Sequence, residues 1–136
     1  MPTSEGAVSG RFGNRNAPMI TYAATVPSFG FARNNRNFRG GLFWDGRVDN
    51  LQEQAKGPFF SPLEMNNEST EELTNKIINS SYASEFVDIF GQDALDDPEQ
   101  LVLYVGQAIA EFEQSELFNP FSSKFDGVVI EDGLVI

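Results

Sequence analysis

The sequence predicts a mainly α-helical, loop-rich domain. Complete helix start signals precede two stretches in which apolar residues recur at helical spacing. Residues 1–42, by contrast, contain many glycines and little periodicity, which predicts an extended loop region of a length that is usually functional. A chain of 136 residues fits one domain with a modest core.

The first two helices are predicted from their capping residues. Asp49 is expected to cap a short helix of about two turns, with Gln52 at its third position and Gly57-Pro58 at its end. Ser69 and Glu72 then form a capping box. In the helix that follows, Leu73 and Ile77 share one face.

A third helix is predicted from residue 82 to residue 90. Its apolar side comprises Tyr82, Phe86, Ile89 and Phe90. Gly91 is well placed to end this helix in a left-handed conformation, which glycine adopts without steric cost.

The fourth helix has the strongest signals. Asp97 is the predicted N-cap, Pro98 occupies the first helical position, and Gln100 completes a capping box. The helix should run to about Ser115. Its predicted buried face consists of Leu101, Val102, Val105, Ala108, Ile109 and Phe112.

Residues 127–136 look extended. They end on the apolar triplet Leu134-Val135-Ile136, where a natural terminus would normally carry polar residues. We therefore expect this sequence to be a piece of a longer chain.

The chain contains neither cysteine nor histidine. This excludes disulfides, thiolate metal sites and haem attachment through a CxxCH motif within these residues. It also excludes histidine as a general base or as an axial ligand to haem. The principal agents of any redox chemistry must therefore lie elsewhere.

The charge distribution is uneven. All six arginines fall within residues 1–47, where only Glu5 and Asp45 oppose them, yet the whole chain carries −11. The arginines alternate with Asn, Gly and Phe without forming a run, so nucleic-acid binding is not expected. No apolar stretch approaches the roughly 20 residues that span a bilayer, so no membrane span is expected.

The most informative stretch is Phe43-Trp44-Asp45-Gly46-Arg47, followed by Gln54, Gly57-Pro58 and Pro62-Leu63-Glu64-Met65. Upstream lies Arg15-Asn16-Ala17-Pro18, and downstream lies Ala108-Ile109-Ala110-Glu111-Phe112-Glu113. In order and spacing, these motifs resemble the bacterial di-haem cytochrome c peroxidases and their relatives that form tryptophan tryptophylquinone. The resemblance runs from about Gly10 to Asp126.

This resemblance implies a cytochrome c-like N-terminal domain of a di-haem peroxidase that lacks its haem-attachment segment. Residues 1–126 would form a partial N-terminal domain, and residues 127–136 an extended tail or the start of an interdomain linker. In the family the stretch lies between two CxxCH motifs, neither of which is present here. The parent protein would carry two c-type haems and a calcium ion.

The resemblance also assigns site residues. Trp44 matches the family tryptophan implicated in electron transfer between the haems, whereas residue type alone favours an aromatic anchor between loop and core. Glu64 matches the acid that assists peroxide cleavage by moving a proton, and Gln54 a distal-pocket glutamine. By residue type alone, both are surface residues.

Three further positions match the family. Pro58 and Met65 correspond to distal-pocket residues that restrict access to the haem iron, with loop packing as the alternative. Asn16 corresponds to a calcium ligand, since a hard side-chain oxygen suits this ion. Its remaining ligands would come from the missing second haem domain, so calcium should bind this chain weakly or not at all.

Two departures from the family pattern matter. Residues 1–15 lack the removable histidine ligand of members that need reductive activation, and the ligand is either absent or outside the chain. The connection from Phe29 to Gly41 is longer and more basic than is typical, which suggests a partner-facing surface.

The resemblance implies periplasmic reduction of hydrogen peroxide with electrons from a small cytochrome or cupredoxin. The isolated chain should be inactive and marginally stable, because haem normally fills the centre of such a domain. A haem-free binding module or an inactive fragment on the same scaffold fits the lack of Cys and His equally well. A related di-haem oxidase that acts on another protein shares every motif.

Overall fold

A computed structural model describes residues 3–34 and 36–123. Within these residues the chain is helix-rich, with four α-helices and one small antiparallel sheet. The helices are α1 (Leu51–Phe60), α2 (Thr70–Ile78), α3 (Ala83–Phe90) and α4 (Pro98–Gln114), and the strands are β1 (Gly30–Ala32) and β2 (Asn37–Arg39). Short 3₁₀ turns occupy Ala23–Thr25 and Gln92–Leu95.

Helix α1 differs from its prediction at both ends. Asn50, and not Asp49, is the N-cap, and its Oδ1 accepts a hydrogen bond from the backbone N–H of Glu53 at 2.9 Å. The helix continues through Gly57-Pro58 to Phe60. Proline removes one helical hydrogen bond and crowds the carbonyl four residues earlier. The buried Phe59 nevertheless fixes the last turn against the core.

Helices α2 and α4 begin as the sequence predicts. The Ser69 hydroxyl accepts from the N–H of Glu72 at 3.2 Å, and the Asp97 carboxylate accepts from Glu99 and Gln100 at 3.0 and 3.2 Å. Leu73 and Ile77 are both buried, which confirms their shared face. The C-cap of α4 is Ser115, also as predicted.

The apolar side of α3 is narrower than predicted. Phe86 is buried, but Tyr82 and Ile89 are exposed. Tyr82 is the N-cap and contributes no side-chain hydrogen bond. Gly91 ends the helix with a positive φ of 98°, as expected, although its ψ of 166° is extended and not helical.

The core is built on α4. Leu101 is fully buried against Ile77, Phe86 and Ala94, while Val102 joins a second cluster with Phe59 and Leu73. Ala108 and Phe112, which were predicted to be buried, are exposed. Helical spacing located the buried stripe of α4 but overestimated its width.

Helices α1 and α4 form the main helix pair, and they meet closely at Gly106. A Cβ atom added to Gly106 would lie 2.9 Å from the carbonyl oxygen of Gln52 and 3.1 Å from Cγ of Lys56. Glycine is therefore required here, because any side chain would push the two helices apart. This contact holds α1 in place beneath the loop that precedes it.

The region before α1 is mostly loop, as predicted, but it contains a hairpin that the sequence pattern missed. Strands β1 and β2 pair Gly30 with Arg39, Phe31 with Phe38, and Ala32 with Asn37. The expected extended segment at residues 127–136 lies outside the described residues, so that prediction remains open. None of the described helices is long and apolar enough to span a membrane.

Glu113 in α4 gives a pH-dependent prediction. Partial burial raises the pKa of its carboxyl group, so the folded state binds the proton more tightly than the unfolded state does. The ionised carboxylate therefore opposes folding at neutral pH, and this penalty disappears as pH falls below the unfolded pKa of about 4.3. We expect Glu113→Gln to raise the free energy of unfolding at pH 7 by less than about 1 kcal/mol, with no gain near pH 3.5.

Glu111→Gln is the matched control, because it removes the same charge from an exposed position on the same helix. Urea titrations at both pH values measure the two effects. An equal gain from the two substitutions would assign the effect to net charge and contradict a role for burial.

Candidate functional site

Residues 43–47 form a tight loop above α1. The loop is closed by the bridge between Leu42 and Val48, whose backbone hydrogen bond measures 2.6 Å. Phe43 and Gly46 adopt positive φ angles of 59° and 67°. A Cβ atom on Gly41 would overlap the backbone of Gly46, so the base of the loop depends on glycine.

Phe43 docks this loop onto α1. Its ring lies against Gly57, where an added Cβ would come within 2.9 Å of the ring carbon Cζ. On its other side, the Arg47 guanidinium lies 3.8 Å from the ring centroid, in cation–π contact. The motif therefore has a structural reason for both its phenylalanine and its arginine.

Asp45 balances the two arginines of this region. It pairs with Arg47 at 2.8 Å and with Arg15 at 3.3 Å. The Arg47 hydrogen bond is the main cause that lowers the pKa of the Asp45 carboxyl group. Because Asp45 is ionised at neutral pH, it ties the loop to the Arg15-Asn16-Ala17-Pro18 segment.

Trp44 makes the second link to that segment. Its indole N–H donates a 2.8 Å hydrogen bond to the backbone oxygen of Asn16, while 65% of the residue stays exposed. Residue type alone predicts that Trp44 anchors the loop to the core. That prediction is wrong, because Phe43 makes the core contact and Trp44 does not. The hydrogen bond uses the backbone of Asn16 and leaves its side-chain oxygen available.

Glu64 lies on a turn that folds back from the end of α1. The N–H of Met65 donates to the oxygen of Pro58 at 3.2 Å, and the Glu64 oxygen accepts from Ala7 at 2.6 Å. Arg11 reaches across from the N-terminal segment to the Asn66 side chain at 2.9 Å. The Glu64 carboxylate itself is exposed. A fixed backbone thus presents it at the mouth of a cleft.

Asn67 secures this turn from below and was missed by the sequence analysis. It is buried, and its amide nitrogen donates to the Phe59 oxygen at 2.7 Å. Its side-chain oxygen accepts from the Lys76 ammonium at 2.6 Å, which joins the turn to α2. The local sequence signal was the pair Asn66-Asn67, which indicates a turn. It does not indicate that the Asn67 side chain is buried and joins Phe59 to Lys76.

We expect Asn67→Ala to lower the free energy of unfolding by about 1–3 kcal/mol, because the buried Phe59 oxygen and Lys76 each lose a partner. Urea denaturation measures the loss. Asn75→Ala, at an exposed position of α2, serves as the control and should change stability by less than about 0.5 kcal/mol. Equal losses in the two variants would contradict the clamp.

Four of the predicted site residues share one cleft of about 810 Å³. Its lining includes Asn16, Trp44, Glu64 and Met65, together with Asn67 and Lys76. The structure therefore brings together the four predicted residues, which are up to 49 positions apart in the sequence. Their predicted roles remain predictions.

Gln54 and Pro58 lie on α1 and do not line the cleft. They are four residues apart and so share one face of the helix. The Gln54 side-chain oxygen is buried and has no hydrogen-bond partner in the described chain. A buried acceptor of this kind is suited to a ligand or water that donates a hydrogen.

The side chains that line the cleft are of types that can face a haem. None of them can attach a haem to the chain. The cleft combines an indole, a half-exposed thioether at Met65 and one carboxylate. The chain contains neither Cys nor His, so covalent attachment and histidine ligation would come from elsewhere. Asn16 is a single oxygen donor, and no group of three or more Asp and Glu residues suited to a metal occurs in the described ranges.

Comparison with known proteins finds several relatives, and all of those named below are di-haem peroxidases or similar proteins by family. The chain is 37% identical over 118 residues to the methylamine utilization protein MauG of Paracoccus denitrificans, covering 86% of this chain and 30% of that protein. It is 42% identical over 86 residues to the cytochrome c551 peroxidase of Nitrosomonas europaea, covering 62% and 23%. The chain therefore spans less than a third of these relatives' length.

Among solved structures, the diheme peroxidase BthA of Burkholderia thailandensis superposes with a TM-score of 0.83 at 37% identity. The match covers 99% of this chain and 32% of BthA. A family model described as di-haem cytochrome c peroxidase matches residues 1–133. The motifs, the fold and these similarities agree, and the chain belongs to the di-haem cytochrome c peroxidase family.

Proposed function

We propose that this chain forms part of a periplasmic di-haem c-type peroxidase that reduces hydrogen peroxide to water. Each turnover would consume one peroxide, two protons and two electrons and release two waters. The electrons would come from a small cytochrome or cupredoxin. The observation that carries the proposal is the cleft that gathers Trp44, Glu64, Met65 and Asn16.

Glu64 is the proton carrier in this proposal. Its carboxylate lies on a turn held by Ala7 and Asn67, so its position does not depend on a flexible loop. A fixed acid of this kind takes a proton from one peroxide oxygen and returns it to the other as the O–O bond breaks. Lys76 lines the same cleft, where its ammonium pairs with Glu72 at 2.8 Å and donates to the Asn67 side chain.

The remaining residues would orient the peroxide and restrict its access to the site. Gln54 does not line the cleft, and in this proposal its buried oxygen accepts a hydrogen bond from water or peroxide at the neighbouring face of α1. Pro58 and Met65, joined by a backbone hydrogen bond of 3.2 Å, narrow the approach. A bound haem supplies the two-electron redox chemistry, and the protein supplies placement and protons.

Trp44 and Asn16 belong to the boundary between the two haem domains. The exposed indole suits an electron path, since its π system is oxidisable and faces outward from the core. Asn16 would give its free side-chain oxygen to calcium, with the other ligands from the second haem domain. Residues 1–126 would thus complete a domain only within the longer protein, with residues 127–136 leading towards its neighbour.

The first test uses the full-length polypeptide that contains this chain, purified from its own organism. Its intact mass and covalent haem content are measured, followed by peroxide consumption with a reduced small cytochrome. A larger protein with two covalent haems and peroxide-dependent oxidation of the donor is the expected result. A haem-free product near 15 kDa would overturn the proposal.

Trp44→Phe tests the electron path. We expect electron transfer between the two haems to slow by about tenfold, equal to ~1.4 kcal/mol on the barrier. The reason is that phenylalanine is much harder to oxidise than tryptophan. Stopped-flow spectroscopy of the two haems measures this rate. Trp44→Tyr restores an oxidisable ring and should recover part of the rate, whereas equal slowing in both variants would assign Trp44 a purely structural role.

The second candidate is a haem-free binding module or inactive fragment on the same scaffold. The complete absence of Cys and His fits this candidate as well as it fits a piece of the peroxidase. A third candidate is a related di-haem oxidase that acts on another protein, and the similarity to a relative named for methylamine utilization is in keeping with it. Haem content separates the second candidate from the peroxidase, and oxidation of a protein substrate by peroxide separates the third.

A further inference from the structure

Residues 4–13, here named the 4–13 loop, double back on themselves and form a closed unit. An antiparallel bridge joins Glu5 to Phe12. The Glu5 carboxylate accepts a hydrogen bond from the Gly10 N–H at 2.7 Å and another from the Ser9 hydroxyl at 3.2 Å. Gly10 has a left-handed φ of 80°, which glycine adopts without steric cost. Internal hydrogen bonds thus give this loop a defined shape.

The backbone of the 4–13 loop is bonded to the turn that carries Glu64. Within that turn, the Glu64 N–H donates to the Ser61 oxygen at 3.0 Å. The Glu64 oxygen accepts from the Ala7 N–H at 2.6 Å. The peptide group before Glu64 is therefore held by its own turn, and the peptide group after it is held by the 4–13 loop.

The Arg11 side chain spans the same turn. Its Nη1 donates to the Pro62 oxygen at 3.2 Å and to the Asn66 side-chain oxygen at 2.9 Å. These partners lie two residues before and two residues after Glu64. Arg11 forms no ion pair in the described part of the chain. Because both partners are neutral oxygens, the guanidinium serves here as a fixed hydrogen-bond donor.

Gly6 fits directly against the Glu64 turn. A Cβ atom added to Gly6 would overlap the Leu63 oxygen and lie 2.7 Å from the Glu64 oxygen. Gly6 is not one of the glycines with a positive φ, so its backbone conformation would accept alanine. Glycine is required here by packing, because two backbone oxygens occupy the space that a side chain would need.

The backbone of this turn decides where the Glu64 carboxylate lies. The carboxylate is exposed and forms no ion pair with another described residue, so no side-chain partner fixes its position. A positioned acid or base must come within about 2.6–3.2 Å of the atom that gives or takes the proton. Misplacement of a reacting group by about 1 Å can cost ~100-fold in rate.

We propose that Gly6 and Arg11 of the 4–13 loop are positioning residues for proton transfer by Glu64. This inference rests on the proposed peroxidase function and deepens it. Gly6 lets the loop approach the peptide groups of Leu63 and Glu64, and Arg11 holds the turn on both sides. Neither residue transfers the proton itself.

The first test substitutes Gly6 by alanine in the full-length holoenzyme, alone and together with Glu64→Gln. Peroxide reduction with a reduced small cytochrome measures kcat, and the haem absorption spectrum verifies that each variant is folded and carries its haems. We expect Gly6→Ala alone to lower kcat by about tenfold or more, because the added methyl group displaces the Glu64 turn. In the Glu64→Gln protein the same change should alter kcat by less than about twofold, because the displaced side chain no longer transfers a proton.

Gly30→Ala is the matched control. A Cβ atom added to Gly30 would meet no atom of the described chain within 4 Å beyond its chain neighbours, so kcat should be unchanged. An equal loss from Gly6→Ala in the presence and absence of the Glu64 carboxylate would assign the effect to general damage and overturn the proposal. An unchanged kcat in Gly6→Ala would overturn it as well.

The second test varies the hydrogen-bonding capacity of residue 11. Arg11→Met keeps most of the side-chain length but removes both hydrogen bonds, and kcat should fall by about threefold to tenfold. Arg11→Lys retains a donor group and should recover part of this loss. Arg33→Met removes an exposed arginine outside the 4–13 loop and should have no effect. Equal kcat in the methionine, lysine and unsubstituted proteins would contradict a positioning role for Arg11.

Two of these proteins separate this inference from the peroxidase function. No peroxide reduction by the unsubstituted holoenzyme would refute the peroxidase function, and this inference with it. Full activity in Glu64→Gln would overturn both the proton-carrier role of Glu64 and its positioning by Gly6 and Arg11, while the peroxidase function would stand. Loss of activity in Glu64→Gln, with no further loss on adding Gly6→Ala, is the expected result.

Discussion

Under the proposed peroxidase function, replacing Glu64 by glutamine in the full-length protein is expected to lower kcat for peroxide reduction by about 100-fold or more, within the range that a positioned acid or base contributes. The substitution keeps the size and hydrogen-bonding capacity of the side chain but removes the proton it can transfer. Because Glu64 is exposed and its side chain forms no ion pair with another described residue, the fold should be unaffected. Steady-state kinetics with the reduced donor measure the effect.

Glu68→Gln is the matched control. Glu68 is also exposed and lies four residues further along the chain, but it does not line the cleft. The same loss of charge there should leave kcat within a factor of two or so of the unsubstituted protein, as surface substitutions usually do. Similar activity in the two variants would remove Glu64 from the mechanism and return it to the role of a surface residue.

Sequence reasoning located the helices whose start signals are local. Ser69 and Asp97 both cap as predicted, since a cap is defined by residues only two or three positions apart. The prediction for α1 was wrong because Asp49 and Asn50 are both good caps. Tertiary contact decided between them, with Asp49 accepting from Phe29 on the hairpin while Asn50 caps the helix.

The missed features of the site depend on contacts distant in sequence. Motif matches pointed to Asn16, Trp44 and Glu64, which do line one cleft. The residues that hold the Glu64 turn, Asn67 beneath it and Arg11 across it, belong to no pattern that the sequence displays. Their importance follows from burial and from partners up to 55 positions away, neither of which periodicity reports.

The hairpin was missed for a different reason. Its strands have three residues each, which is too short for an alternating apolar pattern, and β2 is exposed along its whole length. Such a ribbon is marginal by itself in water. Here it is stabilised by the stacked rings of Phe29 and Phe38 and by the anchor at Asp49, both of which require the folded loop beside it.

Leu101→Ala is expected to produce the largest loss of stability in the chain. Leu101 is fully buried between α2, α3 and the following turn, so the substitution removes three side-chain carbon atoms and leaves a cavity. Leu to Ala changes of this kind cost about 2–5 kcal/mol. In urea titrations, with a slope of about 1–3 kcal/mol per M, the midpoint should fall by roughly 1–2 M or the variant should be unfolded in water.

Leu103→Ala, two positions along the same helix, provides the control because Leu103 is 37% exposed and belongs to none of the core clusters. It should lose much less stability than the Leu101 variant, and equal losses would contradict a core centred on Leu101.

The unsubstituted chain should itself be marginally stable, since Trp44, Met65 and other large apolar side chains around the cleft remain exposed. A cooperative thermal transition well above physiological temperature would show that the three clusters around α4 suffice without haem. A low or broad transition would show that the cleft must be filled before the domain becomes stable.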